Sequence, residues 1–274
     1  MQIKQAATVL LLRDGSSRPE VYMLERNIKS EFVSGAYVFP GGAVDSEDND
    51  QCLGNICAGL SDQQASHQVG LESGGLRFWV AAIRECFEEC GVLLAKQAGQ
   101  QLSFTDELVN KRFSALRDAL NRREIAFAEI CSDEGLSLQV DHLVYFSRWL
   151  TPEGMSKRFD TCFFLCPMPE HQTPLHDGHE AVHGIWITPE KALAKGSSGD
   201  IKLVPATIRT LESIAGYRSV AELIVGCTPS AEVPTICPQI IRDERGQPVK
   251  LRIESVDGVI EQPIGSELRS MMGG

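Results

Sequence analysis

With 274 residues, 43% of them hydrophobic, the chain is long enough for one large domain with an appendage and apolar enough for a full core. A formal net charge of −11 excludes broad nonspecific contact with nucleic acid, because a phosphate backbone selects clustered Lys and Arg. Nine cysteines with no CxxC pair read as reduced thiols of a cytoplasmic protein, and no run approaches the roughly 20 apolar residues of a membrane span.

The opening MQIKQAATVLLLRDG holds a short apolar run followed by charge, without a small-residue cleavage site, and so reads as a strand. Residues 6–12 and 20–24 are β-rich and flank the turn cluster RDGSSRP, which predicts a hairpin. Residues 35–38 lead into FPGG, a Pro-Gly-Gly segment suited to a tight backbone loop. Residues 49–75 carry Gly, Ser and Gln with weak periodicity and read as an inserted, partly irregular segment. A strong helical pattern spans 76–90 and stops at Gly91. A second helical stretch is expected over 105–130, followed by strands near 136–150, 159–166 and 184–187. Thr188-Pro189-Glu190 opens a further helix, with Thr188 as cap, and 205–214 continues helical. Beyond 225 the composition turns Pro-rich, then gives two β runs around a Gly turn, a C-terminal extension over 226–274.

Chemistry concentrates in the helix LRFWVAAIRECFEECGV. At about 100° per residue, Glu85, Glu88 and Glu89 share one arc, while Leu76, Trp79, Val80, Ile83, Phe87 and Cys90 gather opposite. Carboxylates so close repel one another, and in a cleft they take up protons or recruit a cation; hard oxygen donors suit Mg²⁺ or Mn²⁺. Arg84, four residues before Glu88, is placed to hold it. The helix alone fits either a metal site or a solvated acidic face.

Residues 84–92, Arg-Glu-Cys-Phe-Glu-Glu-Cys-Gly-Val, match the second half of the Nudix hydrolase signature at every defined position. Its first half resembles residues 40–48, where the expected acid is Asp48 counted from Gly42 or Glu47 counted from Gly41. Residues 49–83 stand where the family has a short spacer, so the signature is split. That pattern, with GAYVFPGG, RWLTP and RFDTCFF, resembles the Nudix branch containing the mammalian peroxisomal acyl-coenzyme A diphosphatases.

The resemblance implies an α/β fold: an α/β/α sandwich with a mixed sheet over residues 1–225, carrying insertions at about 49–75 and 100–135. It implies hydrolysis of a nucleoside-linked diphosphate with Mg²⁺ or Mn²⁺. The substrate expected is CoA or acyl-CoA; NADH, ADP-ribose or another nucleotide is the alternative, and a non-catalytic nucleotide-sensing module the alternative from another class. Glu85, Glu88 and Glu89 are the expected catalytic ligands, joined at the metal by Gly41 and Glu180. Arg26, Gly42 and Arg158 are candidate substrate contacts, and Arg84, Asp48 and Glu47 candidate supports.

The segment 49–75 is expected either to wall an acyl groove or to act as scaffold alone. His176, His179 and His183 flank Glu180 in a segment read as loop, which does not favour a zinc cage. The terminal Met-Met-Gly-Gly is not a peroxisomal address. A small-molecule nucleotide partner is expected, without nucleic acid or membrane; the sequence allows a homodimer without requiring one.

Overall fold

The first apolar run alternates as a strand in the middle of a sheet must. In Lys4–Asp14 (β1), Ala7, Val9 and Leu11 enter one buried cluster while Leu10 and Leu12 enter a second, so both faces of the strand are covered. The computed structural model describes residues 3–29, 33–229, 232–255, 258–264 and 269. The chain turns at Gly15, whose N–H donates to the Arg18 carbonyl at 3.1 Å, and returns as Pro19–Arg26 (β2). Tyr37–Val38 (β3) pairs with β2. Gly41–Ala43 (β4) pairs antiparallel with β1, so the Pro-Gly-Gly segment is a short strand laid against the sheet rather than a free loop.

Residues 49–75 are more regular than their composition predicts. A tight 3-10 turn at Ser46–Asn49 leads to Gln51–Asn55 (α1), capped by Asp50, and then Asp62–Gln68 (α2), capped by Ser61. Helices of one or two turns are too short to establish a periodic pattern. Leu53, Ala65 and Val69 from this segment are buried in the first core cluster. Arg77–Cys90 (α3) follows and ends at Gly91, whose φ of 69° is the left-handed conformation that glycine adopts with least strain.

Next come Ala95–Gln97 (β5), Gln100–Gln101 (β6), Glu107–Asn121 (α4) and Phe127–Asp133 (α5). The single helix expected over 105–130 is two helices, broken where Arg123 adopts a φ of 57°. The break lets Phe113 of α4 and Phe127 of α5 enter the same core, a packing gain that overrides local propensity. Leu136–Leu138 (β7) closes a small sheet with β5 and β6.

Val144–Leu150 (β8), Phe159–Pro167 (β9) and Ala181–Ile187 (β10) complete the main sheet in the order β10-β2-β1-β9-β8. The β1–β9 pair is parallel, and the β1–β2, β2–β10 and β8–β9 pairs are antiparallel, so the sheet is mixed. Pro189–Ser198 (α6), Pro205–Ser213 (α7) and Val220–Cys227 (α8) contribute Ala192, Leu211 and Leu223 to the cluster on the Leu10 and Leu12 face, opposite α3. The result is an α/β/α sandwich.

The expected boundary at 225 falls within α8. Beyond it, Thr235–Ile236 (β11) adds to the main sheet parallel to β8. Gln239–Arg242 (β12), Pro248–Ser255 (β13) and Gly258–Pro263 (β14) form a three-stranded sheet whose Leu251 and Ile253 join the second core cluster. The extension thus shares a core with the sandwich. No helix among the described residues is long and apolar enough to cross a membrane. Residues 271–274, the expected non-signal, lie outside the described part.

Candidate active site

The carboxylate face of α3 is not solvated. Strand β4 and the turn 46–49 lie against it, leaving Glu85 and Glu89 buried and Glu88 half-buried. Carboxylates in that position need partners, and Arg84 is the principal one. Its Nε and Nη2 donate to the two oxygens of Asp48 at 2.7 and 2.9 Å, its Nη1 to Glu85 at 2.9 Å and Glu88 at 3.1 Å, and its Nη2 also to the Ala43 carbonyl at 2.9 Å. One buried guanidinium therefore ties the two halves of the split signature together, and the planar fork of Arg suits the bidentate grip on Asp48. Asp48 also accepts the N–H of Asp45 at 2.7 Å. Glu47, its neighbour, is exposed.

The glycines of β4 are dictated by what they touch. Gly41 has φ 155°, a Cβ there would sit 2.4 Å from the Ala7 carbonyl oxygen, and its N–H donates to Glu89 at 2.8 Å. A Cβ on Gly42 would stand 2.5 Å from Oε1 of Glu85. Gly41 lets β4 press against β1, and Gly42 lets the backbone pass directly over the Glu85 carboxylate. From the opposite side of the cleft, Glu180 pairs with Arg26 at 3.1 Å. The rear of α3 is gripped from α4, where Arg117 Nε and Asn121 Nδ2 donate to the Glu88 carbonyl at 2.9 and 3.2 Å.

The electrostatics follow from this crowding. Burial, reinforced by Glu88 and Glu180, pushes the Glu85 carboxyl up to about 8 against the pull of Arg84. Burial and then the charge of Glu85 hold Glu89 well above the usual carboxylate range, opposed by the Gly41 N–H. Burial also raises Glu88, again against Arg84. For Arg84, burial works to release its proton, but Asp48, Glu85 and Glu88 outweigh it and hold the guanidinium charged.

Among the described residues no three His, Cys, Asp or Glu side chains stand gathered in ligating geometry, the zinc-type histidine cage included. Glu85 and Glu88 are turned to Arg84, and Glu89 to the Gly41 N–H. The donor chemistry nonetheless fits a hard divalent cation. Several carboxylate oxygens converge where burial and mutual repulsion disfavour their charged forms, and added positive charge would relieve that.

The carboxylates sit where two limbs of a cleft meet. One limb, about 1110 Å³, is lined by the acidic turn, Glu88 and Glu89, and by Asn121, Arg122 and Arg123 at the break between α4 and α5. The other, about 450 Å³, runs under β4 between β8, β9 and the C-terminal strands. Ala43, Glu85 and Glu180 line both.

Of the residues singled out in the sequence, Glu85, Glu88, Glu89, Arg84, Asp48, Gly41, Gly42, Glu180 and Arg26 are thus brought together. Arg158 is not among the cleft-lining residues; its Nε donates to the Thr151 carbonyl at 3.0 Å. His183 lies on β10, not in a loop, with its Nδ1 3.3 Å from the Tyr37 hydroxyl. The inserted segment supplies Leu53 to the acidic limb and no residue to the apolar one, so the acyl-groove alternative for 49–75 finds no apolar wall there. Sequence reasoning passed over Arg117 and Asn121 and did not connect the C-terminal β runs with the cleft, since none of these lies near a motif.

A family model described as the NUDT19 Nudix domain matches residues 59–214. The chain is similar to a Xenopus laevis protein named acyl-coenzyme A diphosphatase NUDT19, 28% identical over 241 residues, with 77% of this chain and 63% of that protein covered. It is 26% identical over 272 residues to the Homo sapiens protein of the same name, with 82% and 72% covered. The chain thus spans less than two thirds of the frog relative's length. A crystal structure of a NUDIX hydrolase from Alicyclobacillus acidocaldarius shares the fold, with a TM-score of 0.67 and 24% identity over 85% of this chain and 99% of that one.

Proposed function

We propose an activity from one premise: the chain belongs to the NUDT19 Nudix domain family. It is a metal-dependent diphosphatase that hydrolyses CoA or acyl-CoA to adenosine 3′,5′-bisphosphate and (acyl-)phosphopantetheine. One observation carries the reading. The glycine-covered carboxylates lie at the junction of a polar limb and an apolar limb. A diphosphate at that junction would send an apolar arm into one limb and its nucleotide arm into the other, whose carboxylates the divalent ions would have to neutralise, whereas two nucleoside arms would leave the apolar limb without a matching group. The name of the relatives supports the same substrate class.

Glu88, Glu89 and Glu180, with Gly41, would hold the divalent ions, Mg²⁺ or Mn²⁺. When bound, such ions supply charge neutralisation at the diphosphate and acidify the attacking water. Glu85 serves as a further ligand or as the base that takes the water's proton, and its oxygen lies against Gly42, where the backbone comes closest. Arg84 does not reach substrate; its donors are committed to Asp48, Glu85, Glu88 and Ala43, so it fixes where the carboxylates stand. Gly42 keeps the approach to Glu85 open, and Gly41 keeps β4 seated on β1 with its N–H on Glu89. Water attacks phosphorus, the bond to the bridging oxygen breaks, and catalysis is chiefly positioning. All nine cysteines are free, which supports a reducing, cytoplasmic setting.

The test is a turnover screen with Mg²⁺ or Mn²⁺ over acyl-CoAs, CoA, NADH and ADP-ribose, with products identified by mass. Release of adenosine 3′,5′-bisphosphate that EDTA abolishes is expected. No hydrolysis of any CoA species would overturn the reading.

A further inference from the structure

The apolar limb is built by parts of the chain distant from the signature. Trp149 of β8 and Phe163 of β9 form one side, Met155 lies in the connection between those strands, Ala206 in the first turn of α7, Pro238 in the link between β11 and β12, and Leu251 on β13. Trp149, Met155, Phe163 and Leu251 are buried. The charged side chains lining the limb, Arg26, Glu85 and Glu180, all belong to the carboxylate end; Glu85 and Glu180 line the acidic limb as well, and Arg26 is paired with Glu180. Beyond them the polar side chains are the hydroxyls of Thr8, Thr151 and Thr161.

This composition discriminates between the two arms of a diphosphate substrate. A phosphorylated nucleoside brings charge and hydrogen-bonding edges that would be stripped of water there without compensation. The other limb is polar: it is lined mainly by carboxylates, with Arg123 and with Arg122 held by Glu124 at 2.8 and 2.9 Å, so a phosphorylated nucleoside would enter it together with the divalent ions that neutralise those carboxylates. An alkyl chain loses nothing in the apolar limb and gains from every methylene removed from water. The limb is also within the size range of small-molecule sites and continuous with the carboxylates.

Resting on the diphosphatase reading above, we propose that this limb takes the acyl arm of the substrate and that the C-terminal extension, through Pro238 and Leu251, helps set the chain length accepted. The C-terminal extension is then part of the substrate site.

The experiment measures kcat/KM for acetyl- to dodecanoyl-CoA, and in parallel the calorimetric affinity of the EDTA-treated protein for the same series. The full chain is compared with Leu251→Trp and Ala206→Phe, each checked by thermal melting. For the unaltered chain both quantities rise about fourfold per methylene until the limb is full. Each substitution lowers the decanoyl-to-acetyl ratio at least tenfold. Ala206 is half-buried at a helix start, so Ala206→Phe reads the limb even where Leu251→Trp does not fold.

Affinity independent of chain length, or unchanged ratios in both variants, overturns the limb assignment; if acyl-CoAs are still hydrolysed, the diphosphatase reading stands. Chain-length-dependent affinity that the substitutions blunt, without hydrolysis of any CoA species, upholds the limb and removes the activity.

Discussion

Asp48→Asn separates the two acids that the split signature leaves open. Asp48 is 3% exposed and Arg84 6%, and the carboxylate holds the guanidinium at 2.7 and 2.9 Å. Asn keeps one acceptor but presents an NH₂ group to the cation, so at least one charge-assisted bond worth about 1.5–3 kcal/mol is lost. The guanidinium keeps Glu85, Glu88 and the Ala43 carbonyl, so the effect stays below the roughly 3–5 kcal/mol of a buried charge left alone. We expect a loss of about 2–3 kcal/mol, a fall in Tm of roughly 4–12 °C for a domain of this size. Glu47→Gln, at an exposed position, is expected to change stability by less than about 0.5 kcal/mol. A second effect follows: freed from Asp48, Arg84 draws more strongly on Glu85 and Glu88 and competes with a cation for them, so the Mg²⁺ concentration giving half-maximal turnover rises. Thermal melts and a Mg²⁺ titration of turnover read both effects. Indistinguishable behaviour of Asp48→Asn and Glu47→Gln in both would refute the reasoning.

Glu89→Gln is expected to lower kcat by about 10²–10³ while Tm holds or rises, because the neutral amide still accepts the Gly41 N–H and no longer repels Glu85; unchanged turnover would remove Glu89 from the ligand set. Gly42→Ala pushes against a movable carboxylate and is expected to reduce activity more than stability. Gly41→Ala meets backbone 2.4 Å away and is expected to destabilise by at least about 2 kcal/mol, so the reverse order of Tm losses would contradict the contacts. Burial works to raise Asp62, but the N–H groups of Leu76 and Gly74 and the Ser66 hydroxyl outweigh it and hold the carboxyl low. Its contribution is therefore complete above the ordinary value of 3.8 and lost as pH falls below it. Proteolysis within 49–75 is expected to accelerate in that acidic range, and Asp62→Asn to remove the pH dependence; if the pH dependence survives, Asp62 does not pin the segment.

Much of this architecture was legible because it rests on local rules. The hairpin of β1 and β2, α3 with its Gly91 stop, and Thr188 capping α6 each follow from period, turn or cap within a few residues. The acidic cluster was legible for a different reason: Glu85, Glu88 and Glu89 share a helical arc with or without an insertion before them. What stayed hidden depends on residues far apart in the chain. The fold of 105–130 into two helices answers to a shared core for Phe113 and Phe127, and nothing at Arg123 announces it. Leu251 reaches the cleft only because the C-terminal strands pack on the sheet. The choice between Asp48 and Glu47 turns on which of two adjacent acids a 3-10 turn directs inward, a difference that spacing alone does not encode.

The split itself makes physical sense once the Arg84–Asp48 contact is seen as a through-space joint. Arg84 lies about two turns, roughly 11 Å, into α3, so the chain leaving Asp48 has to return over a distance of that order, which a handful of extended residues would span. Far more chain than that is present, and loop closure tolerates the excess because its entropic penalty grows only logarithmically with length. The excess is also anchored. Asp50 caps α1, Asp62 accepts from Gly74 and Leu76 at 2.9 and 3.0 Å, the Ser66 hydroxyl accepts from Gly75 at 2.8 Å, and Leu53, Ala65 and Val69 are buried. An insertion packed into the main core and fastened at its exit fixes the start of α3. The two halves of the signature therefore meet across the interruption, because one buried guanidinium joins Asp48 to Glu85 and Glu88 without continuity of the chain.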